Sequence, residues 1–576
     1  MLQVLVLAAA LMVPTVEPIE IRLAARDAAN DDAWRTLPDA AAFKAKRAAF
    51  KAEFRRRLGV ADIVRTPLAA KTLGRKDYGR FRIEKVLMES APGAYVTVLV
   101  FLPDAARFAP PYAGFMFIPG HSDAGKAHAS YLATCELGAR NGLAVVTYDP
   151  FGQGERSQGA GLRSADEHVR IGAYAALLGE TTATYMLRDA VRVFDYFESR
   201  PDVDRARLGV CGNSGGGTMS AYFMAADDRV KAAVPSCYLS SAREHLLANG
   251  PQDSEQNFFD EFTWGFNHAA LVFAAECPVL INAAVEDFFQ IDGSRATCRL
   301  VREVAAKFGL PFDGCELSEA PGGHAMSKVH REAAVRFFLK HLRGEARTVV
   351  EGETTTFARE DVTVTPDGEV SRLRSFKSIY ETLAEKLAQR DTSLERCAVR
   401  AKGAVLRERA GADCRAVIGA LKGELVPGRQ AVLRLGGTPA SGEVTATLFA
   451  DGDRLVQMPK RKGKRSYYER RGDDEVVAVD LYLEGRSLVT LRAAEVLALA
   501  AELEKRTGLK PALVAEGRFA TVASFAQAAA PDAFASVRLA NEPTSYRESL
   551  RSRAYLSFAD LYLDSSETHP NWRTTE

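Results

Sequence analysis

The sequence predicts an α/β protein: a mostly parallel, doubly wound sheet covered by helices on both faces, followed by a second, smaller α/β unit. Three observations carry that expectation. Continuous apolar runs at residues 114–118, 143–148, 208–211 and 278–285 lack the alternation of a sheet with one wet face, so these strands are covered on both sides. Helical periodicity fills the gaps between them, as in Tyr185-Met-Leu-Arg-Asp-Ala-Val-Arg-Val-Phe-Asp-Tyr-Phe197. At 576 residues the chain is also longer than one ordinary core sustains.

The elements follow in order. Residues 2–13 form an apolar run too short to span a bilayer and ended by Pro14, which reads as the apolar part of a signal peptide within residues 1–20. No Lys or Arg precedes it and no clean A-x-A site follows. The expectation is therefore a periplasmic or secreted protein, with a buried first helix in a cytoplasmic protein as the alternative. Residues 21–80 read as a charged helical extension. A core of alternating strands and helices is expected over residues 81–345, opening with strands at 81–88 and 95–102. Residues 346–399 read as a linker with a helix near 376–389, marked by the Thr run after Glu353 and by Pro366-Asp367-Gly368.

Composition narrows the partners. A 47% apolar, 26% charged chain with net charge +1 gives no electrostatic case for nucleic acid or for a membrane surface. Eight cysteines are scattered without CxxC pairs or zinc-type His spacing, and Cys211 and Cys277 sit in apolar strand-like runs. No cofactor-binding or metal-binding pattern is present, and the sequence sets no oligomeric state.

Each predicted strand ends in chemistry-bearing residues, and in open α/β sheets such ends converge. Cys211-Gly212-Asn213-Ser214-Gly215-Gly216-Gly217 is a G-x-S-x-G elbow, in which a sharp strand-to-helix turn exposes Ser214 Oγ and tolerates only glycine beside it. A serine hydroxyl needs a base, and the base an orienting carboxylate. His324, after Pro321-Gly322-Gly323 and ahead of a helix, is the candidate base. Asp287 is the candidate orienter, placed where a side chain can turn across the sheet top, with Asp292 and Glu286 as its alternatives. The oxyanion hole is expected from the N–H of Gly215 with that of His121 or Ser122. Arg156, with Asp149, fits either a structural ion pair or a substrate contact. The insertion at 236–270 is expected to roof the pocket, where Glu255, Gln256 and Trp264 could meet sugar hydroxyls and rings, or where its aromatic residues could pack the insertion down.

With those residues in place, residues about 80–343 resemble the α/β-hydrolase superfamily, and within it the bacterial acetyl xylan esterase-like group. The matching stretches are Asp149-Pro-Phe-Gly-Gln-Gly-Glu-Arg156, Ser199-Arg-Pro-Asp-Val-Asp204, Gly212-Asn-Ser-Gly-Gly-Gly-Thr-Met-Ser-Ala-Tyr222, Pro235-Ser-Cys-Tyr-Leu239, Asp253-Ser-Glu-Gln256, Glu286-Asp-Phe-Phe-Gln-Ile-Asp-Gly293 and Gly322-Gly-His324. The resemblance implies the α/β-hydrolase fold and a metal-free carboxylesterase acting on acylated carbohydrate through an acyl-enzyme, with Ser214, Asp287 and His324 as its triad. No Arg flanks Ser214, which departs from the glucuronoyl esterase pattern. A prolyl-oligopeptidase-like peptidase shares the triad, but no propeller-scale repeat precedes the sheet. A non-catalytic carbohydrate-binding or scaffolding protein is the remaining alternative.

Residues 400–576 read as a degenerate second unit lacking the triad. Asp480-Leu-Tyr-Leu-Glu-Gly-Arg-Ser487 echoes the stretch from Asp149 to Ser157, Leu491-Arg-Ala-Ala494 echoes Leu187-Arg-Asp-Ala190, and Ala512-Leu-Val-Ala-Glu-Gly-Arg-Phe519 echoes the elbow. In that register Gly517 matches Gly212, and Phe519 stands in the place of Ser214.

Overall fold

The computed structural model describes residues 19–61, 63–310, 315–389, 397–398, 400–410, 421–422, 430–435, 444–446 and 473–540. The apolar segment at 2–13, Cys414 and residues 541–576 lie outside these. Among the described residues no helix is long and apolar enough to cross a membrane.

Nine strands form the main sheet: β1 (Lys71–Asp77), β2 (Phe81–Ala91), β3 (Ala94–Pro103), β4 (Tyr112–Ile118), β5 (Ala144–Tyr148), β6 (Val203–Asn213), β7 (Ala232–Ser236), β8 (Val279–Ala284) and β9 (Cys315–Ala320). Their spatial order is β1-β2-β3-β5-β4-β6-β7-β8-β9, antiparallel from β1 to β5 and parallel from β5 to β9. Every residue of β4, β5, β7 and β8 is buried, which is why these runs are apolar without alternation. One face carries the helices Ala129–Arg140 and Lys328–Arg343, and the other carries Thr182–Glu198 and Gly215–Ala226.

Sequence reading stopped the helical extension at residue 80, but residues 71–77 are the edge strand β1. Its side chains are almost all exposed, so no apolar alternation marked it. The extension itself consists of the helices Ile19–Arg35 and Ala40–Arg57, the second capped by Asp39 accepting from the Ala42 N–H at 2.8 Å. Trp34, Phe43, Phe50 and Phe54 bury this pair against the sheet's helices. The linker is tied down as well: Glu155, buried in the loop after β5, accepts from Lys126 Nζ at 2.6 Å, from the Val364 and Thr365 N–H groups at 2.8 and 2.6 Å, and from Thr365 Oγ1 at 2.7 Å.

The second sheet joins β10 (Leu421–Lys422), β11 (Val432–Leu435), β12 (Val444–Ala446), β13 (Ala512–Glu516) and β14 (Ser536–Ala540) in the order β10-β12-β11-β13-β14. β10 runs antiparallel to β12 and the rest are parallel. This reproduces β3-β5-β4-β6-β7 strand for strand and direction for direction. Helices Leu488–Thr507 and Arg518–Ala529 flank β13 as Thr182–Glu198 and Gly215–Ala226 flank β6.

The structure corrects the internal register. Gly517 has φ 60° and ψ −131°, the conformation of Ser214 at φ 60° and ψ −126°, and each is the residue before its helix. Gly517 therefore occupies the place of Ser214, not of Gly212, and Phe519 is already in the helix. Glycine stands where the positive φ is needed, so matching it to another glycine shifted the register by two. The echo at Asp480 also fails, because Asp480 is in the helix Asp473–Leu483 whereas Asp149 follows a strand.

The second unit packs on the insertion of the first: the Asp260 N–H donates to Tyr482 O at 3.0 Å, and the Phe259 and Tyr482 rings lie 5.5 Å apart. Arg22 of the first helix makes two 2.9 Å bonds to the Glu484 carboxylate.

Candidate active site

The elbow is built by crowding. A Cβ at Gly212 would collide with Gly216 O, one at Gly216 with Ile118 O, and one at Gly217 with Ser236 O. Close approach of β6, β4 and the following helix thus requires these glycines. Ser214 sits between them with a positive φ that L-residues adopt only under constraint, held by its N–H on Ser236 O at 3.0 Å. Directly behind it begins the helix Gly215–Ala226, whose free N–H groups point toward the serine.

Two further loops meet this edge. Asp287 follows β8, and its buried carboxylate lies 2.9 and 3.0 Å from His324 Nδ1, the histidine of the loop after β9. The Phe289 N–H donates to Asp287 Oδ1 at 3.1 Å, and the Phe288 ring lies 4.3 Å from the imidazole, so both partners are held in place. Neither alternative acid takes this role: Asp292 pairs with Arg295 at 3.0 Å with its side chain 82% exposed, and Glu286 points to solvent. Ser236, which anchors the elbow, is followed by Cys237, whose thiol donates to Ala325 O at 3.5 Å and is pushed well up by burial and then by Asp287. This contact joins the elbow to the histidine loop. In this conformation Ser214 Oγ makes no hydrogen bond to His324.

Loop 119–122 lies against the other side of the serine. A Cβ at Gly120 would come within 2.9 Å of Ser214 Cβ, and Gln153 Nε2 fixes the Gly120 carbonyl at 2.8 Å. His121 of this loop reaches the residue after the serine, since a Cβ at Gly215 would come within 2.8 Å of His121 Cε1. The His121 side chain is drawn into a buried cluster. Its Nε2 is 3.0 Å from His168 Nδ1 and 3.5 Å from Glu255 Oε1, and its Nδ1 is 3.3 Å from Asp253 Oδ2. His168 Nε2–H in turn donates to Phe151 O at 2.8 Å. Glu255 is fully buried with both oxygens lacking a hydrogen-bond partner, and burial raises its carboxyl to about 7. Burial, and next the neighbouring His121, lowers His168 to about 3.

The remaining expected contacts go elsewhere. Arg156 is 2% exposed, with its donors on Tyr95 O at 2.7 Å, Asp149 O at 2.9 Å and Asp189 Oδ2 at 2.8 Å, so it is a structural cation rather than a substrate ligand. Trp264 stacks on Phe50 and under the Arg57 guanidinium, 4.7 Å away, packing the insertion onto the N-terminal helices. Gln256 lines a cavity of about 40 Å³ with His245, Glu261 and His268 beneath the insertion. Glu255 faces His121 and His168 rather than an open cleft. Gln153 and His168 escaped sequence reading. Gln153 lay inside a matched stretch, whereas His168 lies within the helix Ser164–Ala176 and carries no local signal.

Comparison with known proteins gives a hydrolase match. Residues 173–270 match the prolyl oligopeptidase family. A Bacillus subtilis (strain 168) protein named as a hydrolase, YtaP, is 27% identical over 236 residues, which is 39% of this chain and 75% of YtaP. Similar solved structures include the methylesterase BT1017, with 20% identity, TM-score 0.46, and coverage of 63% of this chain and 81% of that one. A glucuronoyl esterase from Solibacter usitatus has 16% identity, TM-score 0.40, and coverage of 52% and 93%. An acetyl xylan esterase from Paenibacillus sp. R4 has 19% identity, TM-score 0.38, and coverage of 51% and 94%. Sheet order and elbow geometry give the chain an α/β-hydrolase fold, and residues 173–270 are similar to a hydrolase family.

Proposed function

We propose that the chain is a serine carboxylesterase that removes acyl groups, acetyl foremost, from carbohydrate through an acyl-enzyme. The observation carrying this reading is the His324–Asp287 pair at 2.9 and 3.0 Å on the loops that flank an elbow serine. Asp287 accepts from Nδ1–H and so leaves Nε2 as the basic nitrogen. As Ser214 Oγ attacks the ester carbonyl, its proton passes to Nε2, an approach that tightens when substrate binds. The developing oxyanion accepts from the Gly215 N–H and from the N–H of His121 or Ser122. His324 then gives the proton to the departing sugar oxygen as its bond to the acyl carbon breaks, releasing the hydroxyl, and water repeats the sequence to free the acid and restore the serine.

The match to the prolyl oligopeptidase family favours a second reading, a peptidase using the same three residues. A release assay across acetylated xylan, other acylated glycans, methyl-esterified uronates and peptide amides separates them. The expected result is acyl release from the glycans with amides cleaved far more slowly. Amide cleavage matching or exceeding ester cleavage would overturn the esterase reading.

A further inference from the structure

We propose that His121, His168 and Glu255 form a binding site for one divalent transition-metal cation of the zinc type, beside the elbow. His121 Nε2 and His168 Nδ1 lie 3.0 Å apart, and the Glu255 carboxylate faces both, with Oε1 3.5 Å from the first and Oε2 3.9 Å from the second. Nitrogen and oxygen ligands about 2.0–2.1 Å from a tetrahedral zinc ion are themselves separated by about 3.3–3.4 Å, the middle of that range. One ligand atom from each of the three residues lies within 4.8 Å of the other two.

The surroundings are those of a prepared site. A ligating imidazole donates its second N–H to a carbonyl or carboxylate, which sets the tautomer. His168 Nε2 meets Phe151 O at 2.8 Å and His121 Nδ1 meets Asp253 Oδ2 at 3.3 Å, so both nitrogens on the trio side are the ones a cation would use. Glu255 supplies the independent sign: a carboxylate buried to 0% exposure with neither oxygen hydrogen-bonded is costly unless something positive meets it. Two imidazoles and one carboxylate suit zinc, whereas magnesium and calcium prefer all-oxygen shells. Cys237, Asp287 and His324 also cluster, but the Asp287–His324 pair is engaged as a triad.

The site abuts the chemistry. A Cβ at Gly215 would stand 2.8 Å from His121 Cε1 and 3.0 Å from Glu255 Oε1. A cation there cancels the Glu255 charge next to the proposed oxyanion donor at Gly215 and fixes loop 119–122 through His121. Binding itself does not depend on the esterase reading.

The test uses the full chain stripped with a chelator, then titrated with Zn²⁺ and, separately, Co²⁺. The expected result is one zinc retained per chain after gel filtration, and a Co²⁺ adduct with the intense visible bands of four-coordination. Glu255→Gln and His168→Gln should each weaken zinc binding at least about 10-fold, while Asp292→Asn leaves it unchanged. No retained zinc, a six-coordinate Co²⁺ spectrum, or affinity unchanged in both variants would overturn the site. If a variant fails to fold by circular dichroism, the wild-type stoichiometry and Co²⁺ spectrum decide alone.

Discussion

At Asp287 two oxygens hold one imidazole nitrogen, and the consequence is testable there. Asp287→Asn keeps the shape but lets His324 adopt the wrong tautomer, so kcat for ester hydrolysis should fall about 10⁴-fold with KM little changed. Asp292→Asn, remote on its own arginine, should leave both unchanged. Kinetics on a chromogenic acetate ester check the pair. The elbow at Ser214 and the meeting of His324 with Asp287 were legible in the sequence because backbone constraint forces glycines around an elbow and strand-end loops converge at one edge of the sheet. Arg156 and Trp264 stayed open between packing and substrate contact because residue type does not reveal whether donors and faces are already spent inside the fold. The grouping of Glu255 with His168 and His121 was not legible at all, since three separate segments must meet before their shared environment exists.

At the scale of elements, the elbow depends on a strand, a loop and a helix approaching more closely than any side chain allows. Gly216→Ala would drive a methyl into the Ile118 carbonyl, and we expect a loss of about 3 kcal/mol or more of stability, or failure to fold, by denaturant titration. The segment after the main sheet should respond to Glu155→Gln. Removing the charge leaves Lys126 with Asp149 alone and weakens the bonds from three donors on residues 364–365, a cost of about 3 kcal/mol. Full stability in that variant would show that the segment is not held this way. The buried parallel strands announced themselves through unbroken apolar runs. Edge strand β1 did not, being polar on both faces, and the second elbow was misregistered because Gly517 satisfies a backbone demand that serine satisfies in the first unit.

Across the whole molecule, several carboxyl groups are buried away from cations strong enough to ionise them. Burial raises Glu261 from its ordinary value near 4.5 to about 8, and burial followed by Asp31 raises Asp27 to about 7. The folded chain therefore keeps protons that the unfolded chain releases near 4.5. Their stabilisation is fully present below that pH and is lost as pH rises toward 8, with a slope of about 1.4 kcal/mol per pH unit for each proton held. Buried His168, His245 and His268, lowered to about 3–4, add stability as pH rises to 6.5, so the carboxyl effect stands alone above that. Denaturant midpoints should fall between pH 6.5 and pH 8, and Glu261→Gln should flatten that fall; an unchanged slope would contradict the assignment. Among the described residues, two sheets of matching order carry a serine at one elbow and Gly517 at the other, so the proposed function places the acyl group at Ser214. The most direct measurement is mass spectrometry of the chain quenched during turnover of an activated acetate ester. The account predicts one acetyl group, on the peptide containing Ser214, and none in Ser214→Ala. An adduct on another residue, or hydrolysis undiminished in Ser214→Ala, would contradict it.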